Sequence, residues 1–193
     1  MIVAGIISVV GLALGVAVNN GLTIWERVNS MVLEEDAAIF FSKFTNEIKN
    51  VIQYKDLKFE GGDNMFSAPM LINSFEGRVL PGKVIYFFDD REGRIKKRYV
   101  DMFQLFQGKT PEAKTILENV SDVKFTYYLF DRQNEVYVWL EEWKEDEWGV
   151  VNEDENFLPS AVRMKVTLKK GRDEIDYVKT VNIPVAKTEF EGK

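Results

Sequence analysis

The chain has 193 residues, with 25 Lys+Arg against 31 Asp+Glu and a net charge of −6, a length that suits one domain with at most an appendage. It has no cysteine and no histidine, which excludes disulfides, thiol catalysis, Cys- or His-ligated metal centres, imidazole bases and the Ser-His-Asp triad. Hydrophobic residues make up 46%, too many for a disordered chain, and the acidic balance weighs against nucleic acid as the main partner.

Charge is distributed unevenly. The first charged residue is Glu26, and residues 1–18 hold fourteen apolar residues, three glycines and Ser8. Eighteen helical residues span about 27 Å, close to the hydrocarbon thickness of a bilayer. A cleaved secretory signal is the rival reading, with small residues near Ala17, but no basic segment precedes the apolar run. The expectation is therefore a retained transmembrane helix over 1–23. Residues 26–42 carry Arg27 against Glu26, Glu34, Glu35 and Asp36, so the positive-inside rule places the C-terminal part outside the cytoplasm. Gly11 and Gly15 form a G-x-x-x-G step, which lets helix backbones approach closely and marks these two residues for helix packing. Trp25, just past the run, suits an interfacial anchor.

Beyond the soft spot at Asn19, Asn20 and Gly21, the apolar residues Ile24, Val28, Met31, Ala38, Phe41, Phe44, Ile48 and Val51 or Ile52 recur at three- and four-residue steps. That spacing predicts an amphipathic continuation over 24–54, ending near Tyr54. The period then changes to two, and 55–193 reads as a β-rich head. Residues 84–88 (VIYFF) and 94–100 form a hairpin across Asp90, Arg91, Glu92 and Gly93, and 111–117 reads as a short helix. Val123, Phe125, Tyr127 and Leu129 alternate, answered by 136–143. Val162, Met164, Val166 and Leu168 alternate again, turn at 171–173 and meet 177–185. At most seven strands joined by hairpins imply one antiparallel sheet, with one face on the amphipathic half of the helix.

The segment from Glu141 to Asn156 holds eight carboxylates and one lysine. Oxygen-rich clusters bind calcium, so Glu145, Asp146, Glu153, Asp154 and Glu155 are weak candidate ligands, although the spacing is not that of an EF-hand and a solvated acidic loop is the plainer reading. A basic surface on a partner is a further reading of the same loop. Arg91, Arg94, Lys96, Lys97 and Arg98 cluster on the first hairpin. Asp89, Asp90, Glu92 and Asp101 flank them, so a charged edge strand outweighs a DNA-binding patch. Trp139, Trp143 and Trp148, with Phe157, read as core or interface rather than a ligand cage. Gly61-Gly62 and Gly82 make no phosphate loop, and Asp89/Asp90 have no pocket in which to act as a catalytic pair.

An apolar N-terminal helix, an amphipathic continuation and a C-terminal antiparallel sheet resemble the plan of type IV pilin-like proteins. The closest likeness is to the J-type minor pseudopilin of type II secretion. It is carried by Phe44-Thr45-Asn46-Glu47-Ile48-Lys49-Asn50-Val51-Ile52 at the helix end, by VSDVKFTYY over 120–128, and by Leu158-Pro159-Ser160-Ala161-Val162-Arg163-Met164-Lys165-Val166 leading into the late strand pair. The resemblance implies an α+β, pilin-like fold: a long N-terminal helix, transmembrane then amphipathic, packed on a C-terminal antiparallel β-sheet. It implies a structural, non-enzymatic subunit held in the inner membrane with its head in the periplasm. Such a subunit joins I-type and K-type minor pseudopilins and the major pseudopilin at the tip of the pseudopilus, where it starts filament assembly for export across the outer membrane. No cofactor, nucleic acid or small-molecule substrate is expected, and Phe41, Phe44 and Ile48 are the expected partner contacts. The alternative is a minor pilin of a type IV pilus, in adhesion or DNA uptake. A membrane-anchored binding or hydrolytic domain unrelated to filaments is a third reading. The sequence departs from the family pattern at its start. A basic leader, an aromatic first mature residue and a glutamate at the fifth position do not occur. Met1-Ile2-Val3-Ala4 resembles the family's residues just after that glutamate, which implies an internal start. If Met1 is instead the mature terminus, Gly5 fills the glutamate's slot.

Overall fold

In the computed structural model, residues 2–73, 77–131, 135–143, 158–171 and 173–186 are described, apart from the side chains of 2–10, 13, 26, 27, 29, 30, 130 and 131. The chain divides into two units, Met1–Ile39 and Phe40–Lys193.

The first unit belongs to helix α1 (Ile2–Lys49), 48 residues without a proline. Leu12, Leu14, Val16, Val18, Leu22 and Trp25 all lie exposed on it. Among the described residues no helix is long and apolar enough to cross a membrane. Much of the apolar run over 1–18 falls on side chains outside that set.

The second unit takes the last ten residues of α1 and two antiparallel sheets. The first sheet contains β1 (Glu60–Gly61), β2 (Met65–Asn73), β3 (Val79–Asp89), β4 (Arg94–Asp101) and β5 (Lys114–Leu117), hydrogen-bonded in that order. The second contains β6 (Val120–Asp131), β7 (Val136–Leu140), β8 (Ala161–Lys170) and β9 (Asp173–Asn182) in the order β7-β6-β8-β9. A five-residue helix, α2 (Met102–Phe106), leaves the end of β4. The expected hairpin pairings are present, β3 with β4 and β8 with β9. Gly93 and Gly171 have φ of 61° and 63°, a region that favours glycine at tight turns.

Three expectations are corrected. Nine strands in two sheets, counted among the described residues, replace one sheet of at most seven. The segment 111–117 is not a helix: Lys114–Leu117 pairs with β4, and its β-branched Thr115 and Ile116 suit that pleated edge. The helix ends at Lys49, not near Tyr54, and its buried line in this unit is Phe40, Phe44 and Ile48, followed by Val51. Ala38, assigned to the apolar stripe, is exposed, as are Ile24, Val28 and Met31. With Phe40 and Phe41 adjacent, a 100° helical step cannot be chosen from the sequence, because either residue starts an acceptable 3.6-residue row.

Both sheets give apolar side chains to one core. The Phe44 ring stands edge-on to Phe66 at 6.1 Å and to Tyr86 at 5.8 Å. Phe66 meets Phe125 of the second sheet at 5.0 Å. Phe59 lies between, stacked on Phe66 at 5.9 Å and edge-on to Trp143 at 6.3 Å. Each such ring contributes about 2–3 kcal/mol by leaving water, with up to about 1 kcal/mol more from edge-to-face geometry. The sheets are also joined through the backbone: Gly61 and Trp143 exchange N–H···O bonds of 3.1 and 2.8 Å. Gly61 allows this because any Cβ there would overlap the buried Tyr127 ring.

Candidate assembly interface at the helix end

The last turn of α1 fixes the helix to the first sheet through one carboxylate. Glu47 follows Phe44 by three residues and precedes Ile48, so it projects beside the apolar row rather than opposite it. In β3 and β4, Tyr86 pairs with Lys97 and Val84 with Tyr99, which puts Tyr86, Lys97 and Tyr99 on one face of the sheet. All three converge on Glu47. Lys97 Nζ donates to Glu47 Oε1 at 2.5 Å and Tyr99 OH to the same oxygen at 2.6 Å, while Tyr86 OH donates to Oε2. Lys97 also donates to Tyr99 OH at 2.9 Å, closing the network.

The environment is largely dry: Glu47 and Lys97 side chains are 16% and 12% exposed. Burial, with the Glu47 charge and hydrogen bond, pushes the Tyr86 hydroxyl far above its ordinary pKa. Tyr99 rises for the same reasons, burial first. Both phenols therefore stay protonated donors at any physiological pH. This is a charge-assisted clamp in which Glu47, Lys97, Tyr86 and Tyr99 are all hydrogen-bonded, an arrangement that orients one element on another.

The structure separates the residues expected from the sequence to make contacts. Phe44 and Ile48 are wholly buried inside the head, so in this fold they hold α1 to the sheets. Phe41 is half-buried, 6.3 Å from the Tyr177 ring of β9. Gly11 and Gly15 are exposed on α1, and a Cβ at either would meet nothing within 4 Å. The acidic-loop candidates Glu145, Asp146, Glu153, Asp154 and Glu155 lie outside the described residues, with Trp148 and Phe157. Among the described residues no group of three or more Asp or Glu is placed to hold a metal ion.

Carboxylates largely neutralise the basic hairpin. Lys96 bonds Asp89 and Glu92 at 2.8 and 2.9 Å, Arg94 bonds Glu92 and Glu118 at 3.2 and 3.3 Å, and Lys97 belongs to Glu47. The Lys96 hydrogen bond holds the Asp89 carboxyl below the usual aspartate range. A phosphate backbone would have to displace these partners.

Sequence reasoning passed over Glu47 as a clamp. It noted the acidic and basic residues at the helix end, but partners 39, 50 and 52 positions away leave no local trace. It also passed over α2, whose signal was present. Asp101 and Gln104 form a capping box: Asp101 accepts from the Gln104 N–H at 2.9 Å, and Gln104 Oε1 accepts from the Asp101 N–H at 3.1 Å.

A helix end clamped through Glu47 onto antiparallel sheets defines an α+β fold. Residues 82–178 match the family model of type II secretion system (T2SS) protein J. The chain belongs to that family of pseudopilins. No curated protein matches it.

Proposed function

We propose that the chain is a minor pseudopilin of type II secretion that helps form the tip complex of the pseudopilus and initiates filament assembly for protein export across the outer membrane. The observation that carries this reading is the family match over 82–178. In this reading α1 anchors the subunit once in the inner membrane, with the head in the periplasm. Gly11 and Gly15 face neighbouring helices in the filament, where close backbone approach rewards small residues. I-type and K-type minor pseudopilins and the major pseudopilin are the partners. Phe41 and the solvent side of the same turns contact them, while Phe44 and Ile48 keep that surface rigid from beneath. No catalytic group or cofactor takes part. Calcium, if bound, would sit on the acidic loop.

The test is co-purification of the full-length chain, extracted in detergent, with the I-type and K-type subunits of its own system. A stable complex at micromolar concentration, with export lost when the chain is absent, is the expected result. No pairing with any sibling, alongside pairing with type IV minor pilins, would transfer the chain to the pilus. N-terminal sequencing and intact mass of the membrane-extracted protein add a second readout, since a pilin-like subunit carries an N-methylated terminus.

A further inference from the structure

Two open sheets have four edge strands between them. Three of these are short: β1 has two residues, β5 four and β7 five. β1 is also bonded onward, through Gly61 to Trp143. Short or covered edges protect a sheet from pairing with another chain. β9 has neither protection. It runs for ten residues in unbroken register with β8, with no proline, glycine or bulge. Its Ile175, Tyr177, Val178, Thr180 and Val181 are residue types that favour a pleated strand.

The bonding pattern identifies the groups left over. Ile183 N–H donates to the Ser160 carbonyl at 3.0 Å, and Lys169 N–H donates to the Asn119 carbonyl at 2.8 Å. Both fix the alternation along β8: its even-numbered residues bond toward β9 and its odd-numbered ones toward β6. In β9, Tyr177, Lys179 and Val181 therefore bond inward. Glu174, Asp176, Val178, Thr180 and Asn182 direct their N–H and C=O groups at the outer edge. All five are exposed, Val178 by 59%. Among the described residues no strand pairs with that edge. Only an extended backbone satisfies such a row of alternating donors and acceptors.

Charge selects which backbone. β9 carries Asp173, Glu174 and Asp176 against Lys179 alone, with the acids gathered at its first half. Lys165 and the Thr167 hydroxyl each hold the Asp176 carboxylate toward β8 at 2.7 Å, so it does not screen the edge. A second copy of β9 would set two acidic strands side by side, in chains of net charge −6, and like charges across a ladder repel. A basic strand meets the opposite sign.

From this we infer that β9 is a docking edge for an extended, basic segment of a different protein, which pairs with Val178 and Thr180 through its backbone and sets lysine or arginine against Asp173 and Glu174. The inference rests on the reading of the chain as an assembly subunit and deepens it, by naming an edge that the helix end does not supply.

The experiment places a photo-crosslinking phenylalanine analogue at Thr180 of the full-length chain, in cells with an intact type II secretion system. The crosslinked peptides are then sequenced. The expected product joins this chain to a different protein within a few residues of a Lys or Arg. Val178→Pro deletes an N–H aimed at the outer edge and no bond to β8. It is expected to lower the yield at least about tenfold with an unchanged thermal melting curve. Asp173→Lys with Glu174→Lys lowers the yield severalfold, and replacing the partner's basic residue with glutamate restores it. If Val178→Pro melts early, the charge reversal and its rescue decide the matter alone. The proposal is overturned by crosslinks to a second copy, to residues 187–193 of the same chain or to no polypeptide. It is equally overturned by a yield indifferent to the charge reversal, or to a Val178→Pro chain that melts normally. If these variants change nothing while sibling subunits still co-purify, the assembly role stands and only this edge is lost.

Discussion

At the scale of the residue, Glu47 is the position on which the head's polar design turns. Its removal leaves a lysine ammonium that is 12% exposed with no carboxylate, and two phenols with no acceptor. Glu47→Ala is expected to cost about 3 kcal/mol in urea unfolding, the scale of breaking a largely buried pair. Glu47→Gln, which keeps the shape and an acceptor, should cost about half of that. A loss under about 0.5 kcal/mol for the alanine variant would mean that the clamp is decorative. The tyrosines give a pH prediction with a definite sign. Tyr86, Tyr99 and Tyr127 all have raised folded-state pKa values, burial being the first cause in each. For an acid raised on folding, the neutral form favours the native state. Stability from these groups is whole below the ordinary tyrosine pKa of about 10 and falls as pH climbs above it. Phenolate absorbance should show the denatured chain ionising all 7 tyrosines near pH 10, with native protein holding some back until it unfolds. Full native ionisation at the ordinary pKa would contradict the buried positions. Asp176 runs the other way. Hydrogen bonds from Lys165 and Thr167 lower its pKa, so its small, solvent-screened contribution is present above the ordinary aspartate pKa and lost as pH falls through the depressed one.

At the scale of the element, the strands show what alternation can and cannot report. Val123, Phe125, Tyr127 and Leu129 are all buried in β6, as their period-two spacing implied, and Val162, Met164, Val166 and Leu168 answer them in β8. β2 was missed because Met65–Asn73 does not alternate: five consecutive residues from Phe66 to Met70 are buried, since both faces of that strand are covered. Proline at position 69 then reads as a breaker when it is a strand residue. Gly82 marks a close approach that only pairing reveals. A Cβ there would lie 2.5 Å from the Val100 carbonyl oxygen and 2.9 Å from Asp101 Cα, backbone atoms with no rotamer to yield. Gly82→Ala should cost about 2 kcal/mol in chemical denaturation, while the same change at Gly62, where the nearest atom is 3.9 Å away, should be near neutral. Phe44→Ala empties the space against Phe66 and Tyr86 and should cost about 4 kcal/mol, enough to loosen the helix end from the sheets. An unchanged unfolding midpoint would show that the helix end does not depend on this ring.

At the scale of the whole molecule, the distinguishing prediction separates folding from assembly. Gly11 and Gly15 stand in open space, so Gly11→Leu with Gly15→Leu should leave the melting temperature of the extracted chain unchanged. Export, and recovery with sibling subunits, should fall severalfold if these positions meet neighbouring helices. An effect on melting with no effect on export would reverse that assignment. By itself the sequence determined the class. The helix–sheet order, the hairpin turns, the alternating strands and the secretion-family likeness were legible because periodicity, glycine at tight turns and charge distribution are local properties of the chain. Tertiary structure alone decided the split into two sheets and the choice of Phe40 over its neighbour for the buried row. It also decided the meeting of Glu47 with Tyr86, Lys97 and Tyr99. These depend on strand order and register, which bring together residues dozens of positions apart through pairings that no short window of sequence encodes.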